Sequence, residues 1–73
     1  MNEFYKGMAE ILEVDENKIT SEFELNAGVA AWDSLAVVST IALIDDIYSK
    51  TLDGKSLTEC VRISDIELLI SNL

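Results

Sequence analysis

Trp32-Asp33-Ser34-Leu35, running directly into Ala36-Val37-Val38-Ser39-Thr40-Ile41-Ala42-Leu43-Ile44, is the stretch on which the reading of this chain turns. Aspartate is a favoured helix N-cap because its carboxylate accepts a hydrogen bond from the exposed amides of the first turn. The stretch therefore predicts a helix that starts at Asp33 and runs to about Ser49. Val37, Ile41, Ile44 and Tyr48 recur at helical spacing and form its core-facing stripe. Lys50, near its end, complements the helix dipole. Ser34 falls in the first turn, directly after the cap. The chain contains no histidine, so Ser34 has no imidazole base within the polypeptide. A well-placed serine without a catalytic partner reads as an attachment point rather than as a nucleophile of its own.

Working outward, Phe4, Met8, Ile11 and Leu12 predict an earlier helix over about Asn2 to Glu13. Asp15-Glu16-Asn17-Lys18 reads as a turn. From Ile19 to Ala31 no period is sustained. Phe23 and Leu25 alternate with Glu22 and Glu24, but a single strand has nothing to pair with. The expectation is a long loop pinned by Ile19, Phe23 and Leu25, with a turn at Asn26-Ala27-Gly28, and long loops are often functional. Asp53-Gly54 marks a further turn, followed by a short helix over Ser56 to Cys60. Ser64 and Glu67 have capping-box spacing, so a last helix starts at Ser64 with Ile66, Leu69, Ile70 and Leu73 on its apolar face. The fold class expected is all-α: a small four-helix bundle, residues 1–73 as a single domain, with a long first loop and a short third helix.

Composition narrows the function. Seventy-three residues make one small core. Apolar residues are 49% of the chain, enough to fold. Fourteen acidic against five basic residues leave a net charge of −9. That argues against nucleic acid and anionic membrane surfaces, both of which need basic patches, and favours partners with basic surfaces. Cys60 is the only cysteine, so no internal disulfide and no structural thiolate zinc site form. The polar N-terminal stretch lacks the apolar segment of a secretory leader, and the Leu35–Ile44 run is too short to span a bilayer. A cytoplasmic monomer is the expectation. Without histidine neither a Ser-His-Asp triad nor a histidine metal site exists. No Gly-rich phosphate loop is present.

Asp33-Ser34-Leu35 ahead of a long apolar helix, in a small acidic chain, resembles the acyl carrier protein family. The resemblance covers essentially the whole chain and implies the same four-helix architecture. It implies that Ser34 carries a covalent 4'-phosphopantetheine arm, attached by a phosphopantetheinyl transferase, and that the protein is a non-catalytic carrier of acyl or aminoacyl groups as thioesters. It also implies as partners an acyl- or aminoacyl-loading ligase or transferase, and condensing or transfer enzymes with basic surfaces. For Asp33 the resemblance adds a role in magnesium binding during attachment, beside the capping role. Trp32 either packs the loop against a helix or borders the path of the arm. Peptidyl, polyketide and D-alanyl carriers are alternatives within the class. An unmodified helical adaptor is an alternative outside it.

Beyond its core stripe the Ser34 helix carries a second arc: Leu35, Ala36, Ser39, Ala42, Leu43, Asp46 and Ile47. Apolar surface flanked by charge marks a protein contact, so this arc is the candidate partner surface, unless the first loop or third helix covers it. Fatty-acid carriers commonly have acids where Ala36 and Ser39 stand here; Asp45 and Asp46 remain. That departure points to a specialised partner set. Val38, Ile41, Ile44, Leu57, Val61, Ile63 and Ile66 are ordinary core candidates. The resemblance gives them a second reading, as the lining of a cleft that shelters an acyl chain. Cys60 reads as a small core hydrophobe.

Overall fold

Asp33 starts the longest helix. Its backbone is extended and its side chain accepts from the Ala36 amide, so the first turn closes on its own cap. The computed structural model describes residues 2–73. In it helix α2 spans Ser34–Tyr48 and ends at Ser49, which adopts the left-handed conformation with φ 56°. The helix buries Ala36, Val37, Thr40 and Ile44. Of the expected stripe, Val37 and Ile44 are buried and Ile41 is half-buried. Tyr48 sits at the rim, 37% exposed, with its ring edge-on to Phe4. Thr40 is fully buried. Its hydroxyl donates to the Ala36 carbonyl at 2.9 Å, one turn back, which satisfies it inside the core.

Helix α1 spans Glu3–Leu12. Asn2 caps it by accepting from the Phe4 and Tyr5 amides, and Phe4, Met8, Ala9 and Leu12 face the core. Gly7 lets α1 approach α2 closely: a Cβ there would stand 2.5 Å from Leu43 Cδ1. The Tyr5 hydroxyl donates to Glu67 Oε2 at 3.1 Å, tying this helix to the last one.

Two 3-10 turns, Glu16–Lys18 and Leu25–Ala27, punctuate the long connection between α1 and α2. Ile19 and Leu25 anchor it in the core. Gly28 passes so near Leu12 that a Cβ would stand 2.9 Å from its carbonyl oxygen, and Ala30 N–H donates to that oxygen at 3.0 Å. One expectation is corrected here. The Phe23–Leu25 stretch does find a partner: Glu24 and Arg62 form an isolated antiparallel bridge. Leu25 N–H donates to the Val61 carbonyl at 2.8 Å, and Ile63 N–H to the Phe23 carbonyl at 3.0 Å.

The two remaining helices start earlier than expected. Helix α3 spans Gly54–Thr58, because Asp53 is its cap rather than part of a turn: its carboxylate accepts from the Ser56 amide. Helix α4 spans Ile63–Ser71. Ser64 does not cap it. The Ser64 amide is instead drawn to the Ser21 carbonyl at 2.7 Å, while Asp65 reaches back to accept from the Val61 and Arg62 amides at 2.9 and 3.0 Å. The four α-helices leave no strand among the described residues. They share a hydrophobic cluster in which Phe4, Met8, Leu12, Leu25, Ile44, Leu57, Ile63 and Ile66 are essentially inaccessible. No helix among the described residues is long and apolar enough to cross a membrane.

Candidate functional site

Ser34 is the first residue of α2 and is exposed. The first backbone bond of the helix runs from Val37 N–H to the Asp33 carbonyl at 3.0 Å, and the Asp33 carboxylate takes the Ala36 N–H at 3.0 Å. The Ser34 and Leu35 amides precede these bonds, so they have no intrahelical acceptor. They and the helix dipole favour a negative group beside the Ser34 oxygen. That oxygen can accept a substituent from another molecule, and the position is open to an approaching enzyme.

The sequence on either side of Ser34 is acidic. Between Lys18 and Lys50 the chain has no basic residue, whereas Glu22, Glu24, Asp33, Asp45 and Asp46 all fall in that interval. Beside the first turn lies a groove of about 320 Å³, walled by Ile11, Ala30, Ala31 and Ser39 and bordered by the carboxylates of Glu13 and Asp33. Trp32 is half-buried against the core. Its indole Nε1 donates to the Leu57 carbonyl at 3.1 Å, which fastens the segment before α2 to α3.

The second arc of α2 does not stay together as one surface. Leu35 is 73% exposed, and Ala42 and Asp46 are exposed with it. Ala36, by contrast, is buried. Leu43 and Ile47 are half-buried against α1, where they line a groove with Gly7, Lys6 and Asp46. Neither the first loop nor the third helix covers them there; α1 does, through its close approach at Gly7. Ser39 is half-buried in the groove beside Asp33. Val38, read from sequence as an inward aliphatic, is 60% exposed and joins Leu35 and Ala42 on the outer face. Its position beside Leu35 on the helical wheel was the available signal. Val61 is also outside, 51% exposed, while Ile44, Leu57, Ile63 and Ile66 are core.

Cys60 is buried. Burial pushes its thiol up to about 11, and the nearby Asp65 and Glu59 carboxylates push in the same direction. It donates to the Ser56 carbonyl. A thiol held protonated in this way is a packing group and a poor nucleophile.

Comparison with protein-family models, with curated proteins and with solved structures finds no match to this chain.

Proposed function

We propose that this protein is a carrier of the acyl carrier protein type, modified at Ser34 with 4'-phosphopantetheine and carrying acyl or aminoacyl groups to partner enzymes. The observation that carries the reading is Ser34 itself: an exposed serine at the first position of an Asp33-capped helix, with no histidine anywhere in the chain. The residues present suit the group. A phosphodiester on the Ser34 oxygen sits where the Ser34 and Leu35 amides lack intrahelical acceptors and the dipole favours negative charge. When bound, the arm supplies the thiol on which cargo is held as a thioester, and its length raises the cargo's effective concentration at successive enzymes. The chain supplies the anchor, the cap and the recognition surface. It performs no chemistry of its own. The all-α fold, with four helices among the described residues, supports the reading.

The partners proposed are a phosphopantetheinyl transferase, an acyl- or aminoacyl-loading enzyme, and condensing or transfer enzymes. The acids between Lys18 and Lys50 suit basic surfaces on all of them. A cytoplasmic monomer fits this role. A second reading, an unmodified helical adaptor, draws on the exposed apolar face of Leu35 and Val38. A Ser34→Ala allele in the source cell separates the two. The carrier loses its activity completely, and the adaptor keeps it.

A further inference from the structure

Ser34, Val37 and Ile41 are three and four residues apart in turn, so they lie on one face of α2. That face meets α3. A Cβ added at Gly54 would stand 3.7 Å from Ile41 Cδ1 and 3.9 Å from Val37 Cγ1, so α3 comes within a methyl group of α2 there. Anything rooted at Ser34 therefore starts at the mouth of the α2–α3 seam.

The seam is fastened from both sides. At the Ser34 end, the Trp32 indole holds the Leu57 carbonyl. At the far end of α3, the Glu24–Arg62 bridge holds the α3–α4 link to the long connection. Leu57, whose carbonyl takes the indole bond, has a fully buried side chain. Lifting α3 off α2 breaks the part-buried indole bond and exposes the Leu57 side chain, and both changes oppose opening. The open surface offers an alkyl chain little. The groove next to Ser34 is rimmed by Glu13 and Asp33, and the one beside α3 and α4 by Glu59 and Asp65.

We infer that this carrier, on the carrier reading above, holds its cargo in solvent rather than inside the helices, and that Trp32 is the residue that sets this by keeping the α2–α3 seam shut. The cargo class that follows is short or polar: aminoacyl, hydroxyacyl or short acyl groups. A long alkyl chain left in water pays the full cost of apolar exposure, so it is a poor passenger here.

The test needs no loading enzyme. A broad-specificity phosphopantetheinyl transferase moves an acyl-phosphopantetheine from acyl-coenzyme A to Ser34. One phosphodiester P–O bond forms at the serine oxygen, the pyrophosphate P–O bond breaks, the nucleotide bisphosphate leaves and the hydroxyl proton goes to solvent. Acetyl, hexanoyl and decanoyl forms of the parent and of Trp32→Phe are made in this way and checked by intact mass. Methyl NMR then follows Val37, Ile41 and Leu57. In the parent these signals are expected to be the same for all three chain lengths. In Trp32→Phe, which keeps a ring but cannot donate, they move with the decanoyl chain. Parent signals that shift progressively with chain length overturn the inference while leaving the carrier reading intact. A Trp32→Phe variant that folds and excludes decanoyl as the parent does removes the role given to Trp32. If that variant does not fold, the parent series alone decides whether cargo is excluded. No mass gain on the parent, with the enzyme active on another carrier, overturns the carrier reading and this inference together.

Discussion

The Asp33 carboxylate accepts the Ala36 amide at 3.0 Å, while the Asp33 backbone carbonyl accepts the Val37 amide at the same distance. One residue thus closes the first turn of α2 twice, immediately before the proposed attachment site. Asp33→Ala is expected to lose the side-chain cap and about 1 kcal/mol of stability. Asp33→Asn keeps an acceptor and most of that stability but drops the negative charge. If Asp33 also helps bind magnesium during attachment, the asparagine variant is modified more slowly at nearly parental stability. Urea unfolding beside transfer rates separates the two roles, and equal rates for the parent and Asn variant would leave Asp33 as a cap alone.

The approach of α1 to α2 depends on Gly7. Leu43 Cδ1 and Cδ2 stand 2.5 and 2.7 Å from where a Cβ would be. For Gly7→Ala, a helix-propensity gain of about 1 kcal/mol offsets the displacement of the flexible Leu43 tip. Gly7→Val has a branched side chain that the tip cannot clear, and overpacking of this kind costs about 1–3 kcal/mol. Trp32 is the only tryptophan, so its fluorescence follows both unfolding curves. A valine variant as stable as the parent would contradict the close packing described.

Asp65 links stability to acid. Its carboxyl is held below the ordinary 3.8, first by the Val61 amide and then by the Arg62 amide, with a further contribution from the Arg62 charge. The unfolded chain therefore binds this proton more readily than the folded one, and stability rises with pH in that range. The contribution is complete above about 3.8 and is lost as pH falls through the lower, folded value. Asp65→Ala is expected to flatten the acid limb of the stability curve, as read by thermal melts down the pH scale. An acid limb of unchanged slope would count against this assignment.

Cys60 contributes to the opposite limb. Its thiol titrates near 11 in the folded protein, against an ordinary 9.0. Between those values the unfolded thiol gives up its proton first, so stability falls as pH rises. Native protein at mildly alkaline pH is expected to resist iodoacetamide, and protein in urea to react at the rate of a free thiol. Fast labelling without denaturant would show that the side chain is less enclosed than its packing indicates.

What the sequence made legible follows how local each signal is. The Asp33 cap acts within three residues and α2 appears where that cap places it, while α1 appears over the span its apolar spacing predicts. Helix α4 starts one residue before Ser64 because the carboxylate that closes its first turn is Asp65, which takes the Arg62 amide, and not Glu67. The Ser64 amide goes to Ser21 and that of Ile63 to Phe23, an extended pairing that runs beside this start. The same pairing gave the Phe23–Leu25 alternation a partner that no nearby residue announced. Asp53-Gly54 carries both turn and cap chemistry, and in the structure the cap prevails, with the Asp53 carboxylate taking the Ser56 amide. At the site, Ser34 and its cap were readable from residue type and position. The division of the outer arc was not, because it depends on a glycine in a different helix, Gly7, admitting Leu43 to the α1 interface.

The most direct test is the intact mass of the protein after incubation with coenzyme A, magnesium and a broad-specificity phosphopantetheinyl transferase, with Ser34→Ala treated in parallel. The account predicts a single added phosphopantetheine on the parent and none on the variant. An unmodified parent, shown to be helical by circular dichroism and exposed to an enzyme proven active on another carrier, would contradict it.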